Sequence, residues 1–175
     1  MFVARVLTIL GHSFVLPDYV QQLLLAALLG LSLGTERAYR RKAASVRTFS
    51  MICAGSCLFS LLSVQVAGHP LEGQYDPTRV AAGIVTGIGF VGGGVIFLSD
   101  RRVQGISTAS MIWLAAGIGM ACGFNRIDVA LWSFVVYWFI IVASVVLHKM
   151  FGARVPKVQV VTRAENPSSQ SDDVH

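Results

Sequence analysis

Charge is scarce in this chain. Only 13% of its 175 residues are Asp, Glu, Lys or Arg, about half the share usual in a soluble domain, roughly 25%. The charges are also excluded from long stretches: residues 49–67, 80–98, 106–124 and 129–147 contain no Asp, Glu, Lys, Arg or His. Proton relays and ion pathways normally place ionisable groups within the membrane, so this absence counts against a proton-coupled pump. It does not exclude a channel lined by backbone carbonyls. Nucleophile elbow, phosphate loop, zinc-protease motif and nucleotide fingerprint are all missing. The string Gly87-Ile88-Gly89-Phe90-Val91-Gly92 fits G-x-G-x-x-G, but it follows no strand and lies inside an apolar run. Without a nucleophile and base, an enzyme is not expected. No internal repeat points to an inverted-repeat transporter.

Cysteine is sparser still, at three residues. Cys53 and Cys57 are four apart on one run, a poor geometry for a mutual disulfide on a helix. With Cys122 they read as small buried residues. His12 and His69 have no metal-ligand spacing and read as loop histidines.

What the chain has is apolar length. Hydrophobic residues make up 54%, and the mean hydropathy is +0.66. The pattern predicts an all-α, polytopic membrane helix bundle of about five transmembrane helices, near residues 20–34, 49–67, 80–98, 106–124 and 129–147. The last four approach the roughly 20 residues needed to cross the hydrocarbon core. The first is short unless it begins nearer Pro17. Residues 1–18 form an N-terminal segment that reads as an interfacial helix. Residues 19–150 form the transmembrane domain, and 151–175 a short polar cytoplasmic tail, read as mostly disordered.

The basic residues set the orientation. Arg37, Arg40, Arg41, Lys42 and Arg47 follow the first span, Arg101 and Arg102 the third, and Lys149, Arg154, Lys157 and Arg163 the fifth. These loops are expected in the cytoplasm, with the N-terminus outside and the C-terminus inside. A four-span alternative without the first helix keeps the rest of this orientation. The net charge of +5 therefore orients the protein in a lipid bilayer and does not call for nucleic acid. The 37–47 loop also suits anionic headgroups or an acidic partner surface.

Small residues recur at four-residue intervals: Ala26, Gly30 and Gly34; Gly83 and Gly87; Gly89 and Gly93; Ala115, Gly119 and Gly123. This spacing lets helices approach closely within a monomer, between copies or with another protein. A ligand path along the glycines is the sharper alternative, with Thr86, Ser107, Thr108 and Ser110 supplying oxygens. Asp76 is placed to cap the third helix, with Pro77 at its first position. Glu36 is placed to pair with Arg40, or to reach a cytoplasmic mouth shared with Arg47 and the third-span glycines. Asp76, Glu72 and Glu36 are candidate magnesium ligands, though no spacing singles them out.

Four stretches carry a family resemblance: residues 27–37 with Val46-Arg47-Thr48, Asp76-Pro77-Thr78-Arg79-Val80-Ala81-Ala82, residues 86–96, and residues 103–113. Together they resemble the MgtC/SapB family of bacterial inner-membrane proteins, over about residues 20–145. The chain departs from the family pattern at Thr35, where Leu is common, and at Gly83, where Gln is common. It is also too short for the cytoplasmic ACT-type domain of many members. The resemblance implies a multi-pass protein of the bacterial inner (cytoplasmic) membrane, linked to virulence and magnesium homeostasis through survival when magnesium is scarce. It implies a regulator with a membrane-protein partner, such as a P-type magnesium transporter or the F-type ATP synthase. The alternative is a transporter or channel for magnesium or another small ion. No cofactor is expected; bound magnesium and a homo-oligomer stay open. The positions matching the motifs are Glu36, Arg37, Arg47, Asp76, Arg79, Gly87, Gly89, Gly92, Gly94, Gly105 and Thr108.

Overall fold

The structure is a computed structural model that describes residues 17–39, 44–67, 76–99 and 102–151. Within these, the chain forms α1 (Asp18–Tyr39), α2 (Val46–Ala67), α3 (Thr78–Gly94), β1 (Phe97–Ser99), β2 (Arg102–Gln104), α4 (Ile106–Gly123) and α5 (Ile127–Phe151). Five helices form the expected all-α bundle. Three of them, α2, α4 and α5 over Ile127–Met150, are long and apolar enough to cross a membrane. The interfacial helix expected in the N-terminal segment, the polar tail, Arg40, His69 and Glu72 lie outside the described residues.

Two helices differ in extent from the sequence expectation. The first is longer. It starts just after Pro17, whose carbonyl accepts the N–H of Val20 at 2.9 Å, and it carries Glu36 and Arg37 inside its last turns. Its 22 residues span about 33 Å at 1.5 Å per residue. The third is shorter. Its helix stops at Gly94, and Phe97 and Leu98 leave it in a strand, Phe97–Ser99, rather than a last helical turn. Three consecutive glycines, Gly92 to Gly94, disfavour continuation. The N–H groups of Val95 and Ile96 close tighter bonds onto Gly92 and Gly93, as helices do at their ends.

β1 and β2 then pair antiparallel, Phe97 opposite Gln104 and Ser99 opposite Arg102. The outer edges of such a hairpin carry unpaired backbone groups, which cannot lie bare in hydrocarbon. The hairpin therefore marks the end of the apolar layer. Gly105 turns the chain into α4 at φ +92°. A Cβ there would run into the Val95 carbonyl, so this position requires glycine.

Packing centres on α2, which lies between α1 and α4. A Cβ on Gly30 would come within 2.6 Å of the Phe49 carbonyl oxygen, and one on Gly34 would meet the Val46 backbone. On the other side, Gly119 and Gly123 rest against the backbones of Cys53 and Cys57. The Cys53 thiol donates to the Ala115 carbonyl at 3.1 Å. All three cysteines are free and buried, as read from the sequence. Ser63 bonds the Pro77 carbonyl at 3.2 Å, tying the end of α2 to the start of α3. α3 packs mainly on α4, with Gly92 against Ala109. α5 lies along α4 with most of its apolar surface uncovered.

This arrangement predicts opposite outcomes for two glycines on one helix. Gly119→Ala forces backbone against backbone and should lower stability by about 1–3 kcal/mol or more. Gly117 has open space at its Cβ position, so Gly117→Ala should be neutral or stabilising by up to about 1 kcal/mol. Thermal melting of the two variants in detergent checks the contrast.

Candidate functional site

The buried face of α1 runs Gln22, Ala26, Leu29, Gly30, Leu33, Gly34, Glu36 and Arg37. Its last two members are charged. Arg37 Nε donates to Glu36 Oε2 at 2.6 Å, with the two side chains 6% and 7% exposed. Tyr137 of α5 donates to the same carboxylate oxygen at 3.4 Å, and its ring meets Trp138 edge-on at 5.6 Å. A buried ion pair thus sits at the end of α1 beside Tyr137 of α5. Burying such a pair is costly, and breaking it leaves an uncompensated charge.

A second buried polar contact lies at the other end of α1. Gln22 Nε2 donates to Asn125 Oδ1 at 3.1 Å. Asn125 turns α4 into α5 at φ 58°, a conformation asparagine tolerates better than most residues. Fourteen residues separate Gln22 from Glu36, about 21 Å along the helix.

The other candidates are dispersed. Arg47 is exposed on the first turn of α2, beside a cavity of about 510 Å³ lined by Ser45, Val46, Arg47 and Thr48. Asp76 and Arg79 are exposed at the opposite end of the bundle. Asp76 Oδ1 accepts from the backbone N–H of Thr78 at 2.9 Å and from its hydroxyl at 2.7 Å, which makes Asp76 the physical cap of α3, with Pro77 following. The Thr78 bonds hold its carboxyl below the usual range, with Arg79 adding a smaller pull. Thr108 is buried on α4. Gly92 and Gly105 serve the packing and turn described above. Glu36 faces Tyr137 and Arg37, and the third-span glycines do not share its surroundings: α3 packs on α4 and, lightly, on α2. Among the described residues, no group of three His, Cys, Asp or Glu side chains could hold a metal ion.

The glycines of α3 separate into two sets. Gly92 is buried. Gly83, Gly87, Gly89, Gly93 and Gly94 have nothing within 4 Å of a Cβ position. Gly83 and Gly87 line a groove of about 420 Å³ with Phe59, Val80, Ile84, Ile88 and Val91, and Phe90 stands 86% exposed beside it. Two of the four hydroxyls proposed for a ligand path turn back to their own helices: Thr86 to the Ala82 carbonyl at 3.0 Å and Ser110 to that of Ile106 at 3.0 Å.

A sequence profile of the MgtC family matches residues 23–150, which includes all five helices in whole or large part. The chain belongs to the MgtC family. It is similar to Protein MgtC of Salmonella typhi, 35% identical over 147 residues, or 84% of this chain and 59% of the relative. Protein MgtC of Salmonella typhimurium (strain LT2) is 37% identical over 131 residues, 75% of this chain and 53% of the relative. Protein MgtC of Brucella abortus (strain 2308) is 41% identical over 103 residues, 59% and 41% respectively. The chain thus spans about half the length of these curated MgtC relatives. No solved structure matches it.

Two parts of this MgtC-family site were missed in the sequence. Tyr137 lies in a span that reads as uniformly apolar, and Gln22 precedes the motif residues. The available signal for Tyr137 was its hydroxyl, which needs a partner when the ring is buried.

Glu36→Gln should destabilise the bundle by about 3–5 kcal/mol, because Arg37 keeps its buried charge. Tyr137→Phe should cost only about 0.5–1.5 kcal/mol; melting in detergent ranks the two. Asp76 has a lowered folded-state pKa, so its contribution is present above the unfolded carboxyl pKa and lost as pH falls through the folded one. Asp76→Ala should therefore flatten the acid side of the melting-temperature profile relative to the parent protein.

Proposed function

We propose that this MgtC-family membrane protein is a regulator that works by receiving a transmembrane helix of a partner protein on the open face of α3. One observation carries the reading. The small-residue faces of α1 and α4 are occupied by α2, whereas Gly83 and Gly87 border an apolar groove with nothing against them. A bare glycine face gives a second helix close backbone access, and van der Waals packing of that kind drives association in lipid. The groove's lining of Phe59, Val80, Ile84, Ile88 and Val91 suits an apolar helix and offers no ligands to an ion.

In this reading the protein resides in the bacterial inner membrane, with α1's C-terminal end in the cytoplasm. Its role belongs to adaptation to scarce magnesium, as the MgtC/SapB resemblance implies. The partner is then a membrane protein such as a P-type magnesium transporter or the F-type ATP synthase. No catalytic step is assigned.

Gly83→Leu and Gly87→Leu should each fill the groove while leaving insertion and the α1–α2–α4 core intact. Affinity purification from magnesium-starved membranes should then lose the partner seen with the parent protein, by roughly tenfold for a contact worth about 1.4 kcal/mol. Undiminished recovery in both variants contradicts the α3 interface. Purified protein in liposomes should carry no magnesium flux; saturable flux reduced by Glu36→Gln would make the protein a transporter in its own right.

A further inference from the structure

α5 carries a groove of a different kind from the one on α3. It holds about 400 Å³ and is lined by Leu114 of α4 and by Val129, Trp132, Val136 and Ile140 of α5, with Asp128 at one end. Asp128 and Arg126 are charged and exposed beside the α4–α5 turn, so this end marks the polar boundary of the membrane. Twelve residues separate Asp128 from Ile140, about 18 Å along a helix. One leaflet of a roughly 30 Å hydrocarbon core is about 15 Å deep. The groove therefore runs from the membrane surface to about its midplane, the depth of one acyl chain.

Its walls favour a chain over a helix. Trp132 is 70% exposed, and among the described residues no glycine lines the groove. Helices pack in lipid where small residues let their backbones meet, as Gly83 and Gly87 do on α3. A flexible hydrocarbon chain needs no such approach. The polar end adds charge complementarity. Arg126 Nε and Nη2 donate to the two carboxylate oxygens of Asp128 at 3.2 and 3.1 Å, and the two side chains are 65% and 61% exposed. An exposed pair of this kind adds little stability, so a headgroup can open it. The pair offers one cation and one anion side by side.

We propose that the α4–α5 groove binds one phosphatidylethanolamine molecule, with an acyl chain between Leu114 and Val136, its phosphate on Arg126 and its ammonium on Asp128. A guanidinium matches phosphate oxygens in paired geometry. A primary ammonium donates hydrogen bonds to a carboxylate. The quaternary ammonium of phosphatidylcholine has no N–H to give, and phosphatidylglycerol has no cation for Asp128. Selection of the ethanolamine headgroup thus rests on Asp128. Tyr137 also lines the groove, and its hydroxyl donates to Glu36, so the bound chain packs near the ring that covers the buried ion pair.

The chain in uncharged detergent is given phosphatidylethanolamine, phosphatidylcholine and phosphatidylglycerol with identical acyl chains, and retained lipid is read by native mass spectrometry. Phosphatidylethanolamine should be favoured roughly tenfold over each of the others, the scale of one charge-assisted hydrogen bond. Asp128→Asn, at an exposed position, should abolish that preference. Val136→Trp should fill the groove and lower phosphatidylethanolamine retention with the Arg126–Asp128 end intact. Circular dichroism checks the helicity of both variants, and the preference of the parent protein decides without either. A photo-crosslinking residue at Val136 in native membranes should give lipid adducts. The proposal is overturned when the parent shows no preference for phosphatidylethanolamine, when folded Asp128→Asn keeps that preference, or when folded Val136→Trp retains the lipid as the parent does. A discrete protein adduct at Val136 overturns it too, and gives the groove to a partner helix.

Discussion

The rest of the structure depends on the contact of glycine with backbone on both sides of α2. Gly30 and Gly34 bring α1 onto its first half, and Gly119 and Gly123 bring α4 onto the same helix from the other side. In lipid there is little hydrophobic drive to hold apolar helices together, so association relies on close packing and a few polar contacts. With α1 and α4 fixed against α2, the remaining polar groups acquire their places. Gln22 meets the α4–α5 turn, and Glu36 meets Tyr137. Ser63 anchors the start of α3.

The same constraint separates α3 from the rest. Only one of its glycines, Gly92, is packed against a neighbouring helix, at Ala109. The others face outward beside Phe90. Glycine in a helix lowers its intrinsic stability, and here that weakness has no compensating contact within the chain. An outside helix would supply one. The buried Glu36–Arg37 pair is a second place where the fold accepts a cost, and buried ionisable groups in membrane helices mark functional sites more often than scaffolding. The cavity at the start of α2 lies at the same end of α1. The α3 groove is almost wholly apolar.

Much of the architecture was legible in the sequence because uncharged runs are the direct signature of membrane helices. The runs at 49–67, 106–124 and 129–147 became α2, α4 and α5 with small changes in their ends. Capping by Asp76 was legible too, since Asp-Pro followed by an apolar run specifies a helix start. The end of α3 was not. Hydropathy treats Phe97 and Leu98 as continuing the span, whereas the Gly92–Gly94 run decides where the helix stops. The extent of α1 was hidden for the opposite reason. Glu36 and Arg37 read as the close of a span, and their pairing, with the Tyr137 hydroxyl on the same carboxylate, supports them inside it. Which small-residue faces were used internally could not be read from spacing, because all of them share one spacing. That distinction appears only once the helices are placed around α2.

The most direct test of the central claim is a photo-crosslinking residue placed at Gly87, compared with one at Val135, in membranes from magnesium-starved cells. Val135 is on the uncovered surface of α5 and 52% exposed, so it reports contact with lipid and chance neighbours. The account predicts a discrete protein adduct at position 87, with little or none at 135. Lipid adducts alone at both positions would contradict it.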